Sequence, residues 1–439
     1  MASKNLVELD GRTGEGGGQL VRVAIALAAV TTRPVRITHV RGNRPSRSGG
    51  RGGGHHKNAD AFFWILGLKA QHVTAIRWLA EATEADVEGL EVGSETLTFA
   101  PRVPPSAALD TKSRWVKIAA DSGAASTLLI LQAVLPFLLY AADAEDELTP
   151  VELEITGGTN VGWSLSYEYL DQVLLPRLES AFGIDVSRRL KTRGWSLGPQ
   201  GRGAMCLTIH PLKRGQPLRP SLSPASPADL EVRYVDATML VPTHMHVDLQ
   251  DALSRDVSDV LPSAELDFKI VEDSGSDARI YVLLVARSAE GTYRWGRDIL
   301  MSTPKKAGKK NNQESLASVV SRRVVSDLAR ELSVHGSTCD EFLQDQLVVF
   351  QALAEGQTSF RRDDSHVAAS AAAADVEVLE QDVARLDVSE RMRRDRTHRP
   401  FGTGSTHSQT ARWVASEILP GVEWYNKGAV CKGVGTSFD

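Results

Sequence analysis

Apolar spacing along the chain sets up a repeating strand–helix rhythm. Leu6–Asp10 alternates as a strand does, passes through the glycine-rich stretch Gly11–Gln19, and enters Leu20–Val30, an apolar run of helical length. Val35–Val40 reads as the next strand. A helical run follows from Asn58 (Ala61, Phe62, Ile65, Leu66, Leu68), then a strand pair near Ala75–Trp78 and Leu97–Phe99. The order then recurs: strand Val116–Ala119, small-residue turn Ser122–Ser126, apolar helix Leu128–Tyr140, strand Val151–Ile155, turn Gly157–Asn160 and helix Tyr169–Phe182. A third round is expected from the strand Ile280–Val285 and a helix over Gln313–Leu332, whose Leu316, Val319, Val320, Val324, Leu328 and Leu332 keep helical spacing.

Repetition of a strand/helix unit at about a hundred residues predicts an α+β fold of three repeated units forming a large domain, with a small inserted α/β domain. The boundaries expected are 1–189 and 296–439 for the large domain and 190–295 for the insert, which holds Met205–His210, Leu230–Tyr234 and Val247–Leu253. Asp340–Ala354 is a further helix. Residues 356–400 change character and form a charged insertion. Within it Val376, Leu379, Val383 and Leu386 space an amphipathic helix that ends in Arg391, Arg393, Arg394, Arg396 and Arg399. That basic end is either an RNA contact or a solvated face.

Composition narrows the class. With 439 residues, 42% hydrophobic and 24% charged, the chain has ample core for a folded protein. A net charge of −5 confines any nucleic-acid contact to local basic patches. The cysteines Cys206, Cys339 and Cys431 are widely separated, which excludes a cysteine-rich zinc module and fits a reducing compartment. The first residues lack an apolar leader and no stretch reaches the ~18 apolar residues of a membrane span, so an intracellular soluble protein is expected.

Candidate chemistry gathers at the turns. Strand, glycine turn and helix over residues 6–30 form a layout that favours anions through backbone N–H groups and the helix start, although no Gly-Lys-Ser/Thr follows to make a P-loop. Glu15 in that turn either holds a divalent metal or is simply solvated. Arg41, Arg44, Arg47 and Arg51 lie on a glycine-rich tract that either clamps phosphates or stays solvated. Gln132 is polar inside an apolar helix and points to a site or a buried partner. Asp345 and Gln346 head an apolar run as a helix cap or as site residues. His407 stands between a Gly/Ser/Thr turn and the apolar-periodic Ala411, Val414, Ala415 and Ile418. It either packs beside the helix start or exposes a ring nitrogen as a nucleophile toward phosphate.

Taken together these stretches resemble the RNA 3′-terminal phosphate cyclase family, specifically its eukaryotic-type enzyme. The carrying motifs are Asp10-Gly-x-x-x-Glu15-Gly-Gly-Gly-Gln19-x-x-Arg22, Arg41-Gly-x-Arg44, Gly89-x-Glu91-x-Gly-Ser94, Gly157-Gly-Thr-Asn160, Lys191-Thr-Arg-Gly194, Asp340–Phe350, Thr406–Ala411 and Cys431–Gly435. The resemblance implies ATP-dependent conversion of an RNA 3′-phosphate to a 2′,3′-cyclic phosphate, with His407 carrying AMP. It implies Glu15 as metal holder for Mg or Mn. Arg22, Arg41, Arg44 and His56 would grip phosphates, and Gln19, Glu91, Gln132, Phe342, Asp345 and Gln346 would join Glu15 in binding ATP. Nuclear residence follows by the same analogy, with Lys305–Lys310 as a candidate import signal.

The chain departs from the family's pattern in places. Gly53–Lys57, with His55 and His56, stands where Pro-Gln-His-Leu is expected, so a Gln is missing. Val161–Leu165 replaces a proline-bearing stretch, and Gly198–Gly203 replaces a Lys-Gly-Gly-Gly run. The Gly-Lys-Arg-Gly stretch is eroded around Trp295–Lys310, and the 356–400 insertion is foreign to the family. These departures set the alternative: a family member without catalysis, acting as an RNA-binding scaffold in ribosomal RNA maturation.

Overall fold

The computed structural model describes residues 6–43, 66–109, 113–120, 122–123, 125–142, 149–199, 201–221, 225–303, 314–363 and 392–438. The first unit is β1 (Val7–Asp10), α1 (Gly18–Thr31), β2 (Val35–Thr38), α2 (Ala70–Thr83), β3 (Asp86–Glu88) and β4 (Leu97–Ala100). Its sheet runs β1-β2-β4-β3, with β1 parallel to β2 and the other pairs antiparallel. Ala75–Trp78, expected as a strand, lies inside α2 instead. There His72, Val73, Ala75, Ile76 and Leu79 are buried at helical spacing, which a short apolar window does not separate from a strand.

A short helix, α3 (Pro105–Ala108), leads to the second unit: β5 (Trp115–Ala119), α4 (Thr127–Leu139) and β6 (Val151–Gly157). Next come α5 (Tyr167–Tyr169), a π turn over Leu170–Leu174, α6 (Leu175–Phe182), β7 (Val186–Thr192) and β8 (Gly203–Ile209). The order β5-β6-β8-β7 reproduces the first sheet strand for strand.

A different sheet follows, β10-β9-β11-β12, from β9 (Val232–Val241), α7 (His246–Val260), β10 (Glu265–Asp273), β11 (Ile280–Ser288) and β12 (Arg294–Met301). α8 (Leu316–Leu332) packs on it, and Val235, Leu249, Val282, Trp295, Val324 and Leu328 belong to a second apolar core there. The edges of these sheets do not coincide with the boundaries expected at 190 and 296. Strands β7 and β8 complete the second unit's sheet, whereas β12 and α8 complete the third sheet.

The third repeat is therefore not built on Ile280–Val285 and the 316–332 helix. It is formed by α9 (Glu341–Leu353), β13 (Glu355–Ser359), α10 (Thr406–Ile418), β14 (Glu423–Tyr425) and β15 (Val430–Val434). Its order β13-β15-β14 matches β2-β4-β3, without a counterpart of the first strand among the described residues. Helix α1 packs against α4 and α10, and α9 against α10, so the helices of all three repeats meet in one core. That contact on every side explains why α1 is buried from Gln19 through Val30. Among the described residues no helix is long and apolar enough to cross a membrane.

The β9–β12 sheet is tied to the repeats by polar links. The Ser166 and Tyr281 hydroxyls lie 2.6 Å apart, Gln172 donates to Thr238 at 2.8 Å, and the Gly296 N–H donates to Asp340 at 2.8 Å. The buried Glu331 carboxylate is held by Arg297 from its own sheet and by Arg362 from beyond β13. Leu240, Tyr281, Leu283 and Val285 also enter the main core.

Candidate active site

The glycine turn after β1 is seated on the start of α10. Gly14 has φ +68°, and a Cβ there would meet the Thr410 hydroxyl and the Pro400 ring. The same hydroxyl accepts the Glu15 N–H at 2.9 Å. This seating aims the Glu15 carboxylate at His407, with Oε1 3.6 Å from Nε2. The Glu15 side chain is 7% exposed while His407 keeps 45% of its surface open. Ser405 caps α10 by accepting the Ser408 N–H, so His407 lies in the first helical turn with its ring turned toward solvent and Glu15.

Behind this pair lies a buried polar cluster. Arg22 donates to Gln132 through Nε and to Gln19 through Nη2 at 2.7 Å, and Gln132 donates to Gln19 at 3.2 Å. Gly18 lets α1 approach closely, since a Cβ would stand 2.6 Å from Arg22 Nη1 and 2.8 Å from His72 Nε2. His72 Nδ1 accepts the Lys69 N–H at 3.1 Å, which places the ring proton on Nε2. Among the described residues, that Nε2 and the Gln19 amide nitrogen are both buried donors without a hydrogen-bond partner.

Solvation sets the charges here. Burial lowers the Arg22 pKa to about 10, opposed by Asp345 and assisted by Arg41. Burial also lowers Arg41. His72 is held well below the usual histidine range by burial, and then by the charges of Arg22, Arg41 and Lys69. Burial pushes the Asp345 carboxyl up to about 6 against the attraction of His407 and Arg22. Clustered cations and buried donors of this kind are complementary to an anion with several oxygens, such as phosphate.

Helix α9 supplies the other wall. Asp340 caps it, accepting the Phe342 and Leu343 N–H groups at 2.9 and 2.8 Å. Asp345 and Gln346 therefore sit inside the helix and are not its cap; Gln346 donates to Asp345 at 3.0 Å. Phe342 is 38% exposed. The Arg297 guanidinium covers its ring at 4.4 Å and Tyr169 meets its edge at 6.5 Å. A small, mostly apolar recess is lined by Gln132, Gln346, Leu128, Leu131, Leu165 and Phe350 among others.

The structure thus brings His407, Glu15, Gln19, Arg22, Arg41, Gln132, Asp345 and Gln346 to one region, with Phe342 at the same helix's start. Glu91 is not tied to it by any described hydrogen bond: it occupies an exposed turn whose hydrogen bonds run to Gly89 and Ser94. Arg44 and His56 lie outside the described residues, as do His55, Arg47 and Arg51. His72 was not singled out in the sequence, yet its signal is there. Ala70-Gln71-His72-Val73 carries the Gln-His pair thought missing at Gly53–Lys57, displaced by the glycine-rich expansion. Among the described residues no group of three or more His, Cys, Asp or Glu side chains could hold a metal ion.

Comparison with known proteins defines the class. The family model for RNA 3′-terminal phosphate cyclase matches residues 13–381. The chain belongs to the RNA 3′-terminal phosphate cyclase family. Proteins named RNA 3′-terminal phosphate cyclase are similar to it from Methanopyrus kandleri (30% identity, covering 81% of this chain and 88% of the relative) and Drosophila melanogaster (28%, 82% and 87%). One from Methanosarcina mazei is 30% identical over 81% of this chain and 89% of its own length. The family match stops before α10, so the placement of His407 rests on the geometry described above.

Proposed function

We infer that this chain converts RNA 3′-phosphate ends to 2′,3′-cyclic phosphates at the expense of ATP, with His407 as nucleophile. The observation that carries the reading is the half-exposed His407 side chain, with Nε2 3.6 Å from Glu15, beside the buried Arg22–Gln19–His72 cluster. Nε2 attacks the α-phosphorus of ATP; an N–P bond forms as the P–O bond to pyrophosphate breaks. An oxygen of the RNA 3′-phosphate then takes the AMP from the histidine, forming an RNA(3′)pp(5′)A anhydride and freeing Nε2. The adjacent 2′-OH attacks the 3′-phosphorus, AMP leaves, and the hydroxyl proton passes to water. Activation turns a poor leaving oxygen into a good one, and the 2′-OH is already held at bonding range.

Arg22, Gln19 and His72 would hold phosphate oxygens by direct N–H donation, and Arg41 adds charge to the same side. Phe342 offers a ring face for a base, beside the recess at Gln132 and Gln346. Glu15 supplies one hard carboxylate ligand, suited to Mg²⁺ or Mn²⁺ if substrate phosphates and water complete the shell. Such an ion contributes neutralisation of phosphate charge. Nuclear residence stays an expectation from the family analogy, because the candidate signal at 305–310 lies outside the described residues. The scaffold alternative gains nothing from a nucleophile set over a buried donor cluster.

Incubation with ATP labelled at the α-phosphate and Mg²⁺ or Mn²⁺ tests the reading. Acid-labile, base-stable label is expected on the protein, absent in His407→Ala, and discharged by RNA ending in a 3′-phosphate. Well-folded protein that takes no label with either metal would overturn it.

A further inference from the structure

Residues 392–400, directly before the His407 loop, are held in part by hydrogen bonds to β14 and the turn that follows it. The Arg393 N–H donates to the Asn426 side chain at 2.8 Å, and the Asn426 N–H returns to the Arg393 carbonyl at 2.9 Å. The Asp395 N–H donates to the Trp424 carbonyl at 2.8 Å, and Arg394 bridges Tyr425 in antiparallel fashion. Residues 393–395 thus run alongside β14. The chain continues through Pro400, which lies against Gly14 of the glycine turn, into the loop that caps α10.

Arg393, Arg396, His398 and Arg399 are all exposed on this segment, as is Lys427 on the facing turn. Nearby acidic groups are already engaged. The Asp395 carboxylate accepts the Lys427 and Gly428 N–H groups at 3.0 and 2.7 Å. Glu423 pairs with Arg394 at 3.4 Å and Lys432 at 3.7 Å. Local positive charge therefore stands out on a chain whose net charge is −5. Hydrogen bonds to β14 and the turn after it hold residues 393–395, and the exposed cations of residues 393–399 come directly before the loop that carries His407.

We propose that residues 393–399 form a track for the phosphate backbone of single-stranded RNA upstream of the 3′ end being processed. The proposal rests on the reading that His407 acts on RNA ends. Phosphates of a single strand lie within one extended line, and exposed guanidiniums bind them without regard to sequence. Each phosphate neutralised adds about 0.7 to the dependence of log K on log salt for a single strand. The track binds RNA only, so the formation of AMP on His407 does not draw on it.

The test combines Arg393→Gln, Arg396→Gln and Arg399→Gln in the full chain. Three measurements are made on it: labelling of His407 by ATP, KM for a 3′-phosphorylated oligoribonucleotide of about twelve nucleotides, and KM for a 3′-phosphorylated dinucleotide. Labelling and the dinucleotide KM are expected to stay within about twofold of the parent, whose own labelling checks the parent reading separately. The long-RNA KM is expected to rise about tenfold or more at low salt, with its salt slope reduced by about 2. An unchanged long-RNA KM and slope would overturn the proposal. So would equal losses on both RNAs, or loss of His407 labelling, either of which would assign the arginines to the loop's architecture.

Discussion

Arg22 and Arg41 on one side, and Arg393, Arg396 and Arg399 on the other, carry the same charge under opposite solvation. The first pair is buried between helices, with Arg22 hydrogen-bonded to neutral amides and depressed to about 10 by loss of water. The second group stands in solvent on the segment that runs from β14's neighbour at 393–395 toward the His407 loop. A buried cation is held at a cost in the free protein and regains it when an anion of the right shape arrives. An exposed cation costs little, contributes little singly, and acts through number and ionic strength. On the proposed reading, the buried set suits fixed chemistry on one phosphate group and the exposed set suits gathering a long polyanion.

The largest effect expected from breaking this contrast is at the buried end. Arg22→Gln should slow His407 labelling roughly hundredfold or more, as loss of a charged phosphate donor does, while the melting temperature moves by only a few degrees. Rapid-quench labelling beside calorimetry reads both; a large fall in melting temperature with little change in labelling would make Arg22 structural. Asp345→Asn comes next. The folded carboxyl titrates near 6, above its ordinary 3.8, so the native state binds the proton more tightly than the unfolded chain. Stability contributed by that proton is present at low pH and lost as pH rises from about 4 through 6. The Asn variant should therefore gain roughly 1–3 kcal/mol over the parent at pH 8, a gain that vanishes below about pH 4 in urea titrations. No pH dependence in the difference would refute the assignment. Smallest is Arg399→Gln alone, expected to change the long-RNA KM by less than about threefold at 150 mM salt. A tenfold loss would show that this side chain grips a particular group.

Much of the first two repeats was legible because their strands alternate plainly. β6 buries every second residue from Val151 to Gly157, and α4 is an apolar run broken within it only by Gln132. The third repeat was not, for physical reasons. β13 reads Glu-Gly-Gln-Thr-Ser and is exposed through its first three residues, β14 has three residues, and the charged segment separates them. Ile280–Val285 gave a strong strand signal in the wrong repeat, because apolar pattern reports burial and not the neighbour a strand pairs with. In the site, His407, Glu15, Gln132 and Asp345 stood out as polar groups at turns or inside apolar runs, whereas Arg22 was carried by its motif. His72 did not, since a histidine within an amphipathic helix looks like any other until Gly18 and Arg22 are placed against it. Glu91 was carried by its motif alone, and the chain keeps it at the surface.

One consequence follows from the links between the β9–β12 sheet and the repeats. Glu331 is neutralised from both sides at once, by Arg297 and Arg362, and Arg297 also covers the ring of Phe342. Swinging that sheet away would take Arg362 from the buried carboxylate, leaving it Arg297 alone, and strip the aromatic ring of its cover in a single motion. Separating the sheet from the repeats would therefore cost both contacts together, which couples the unfolding of the two bodies.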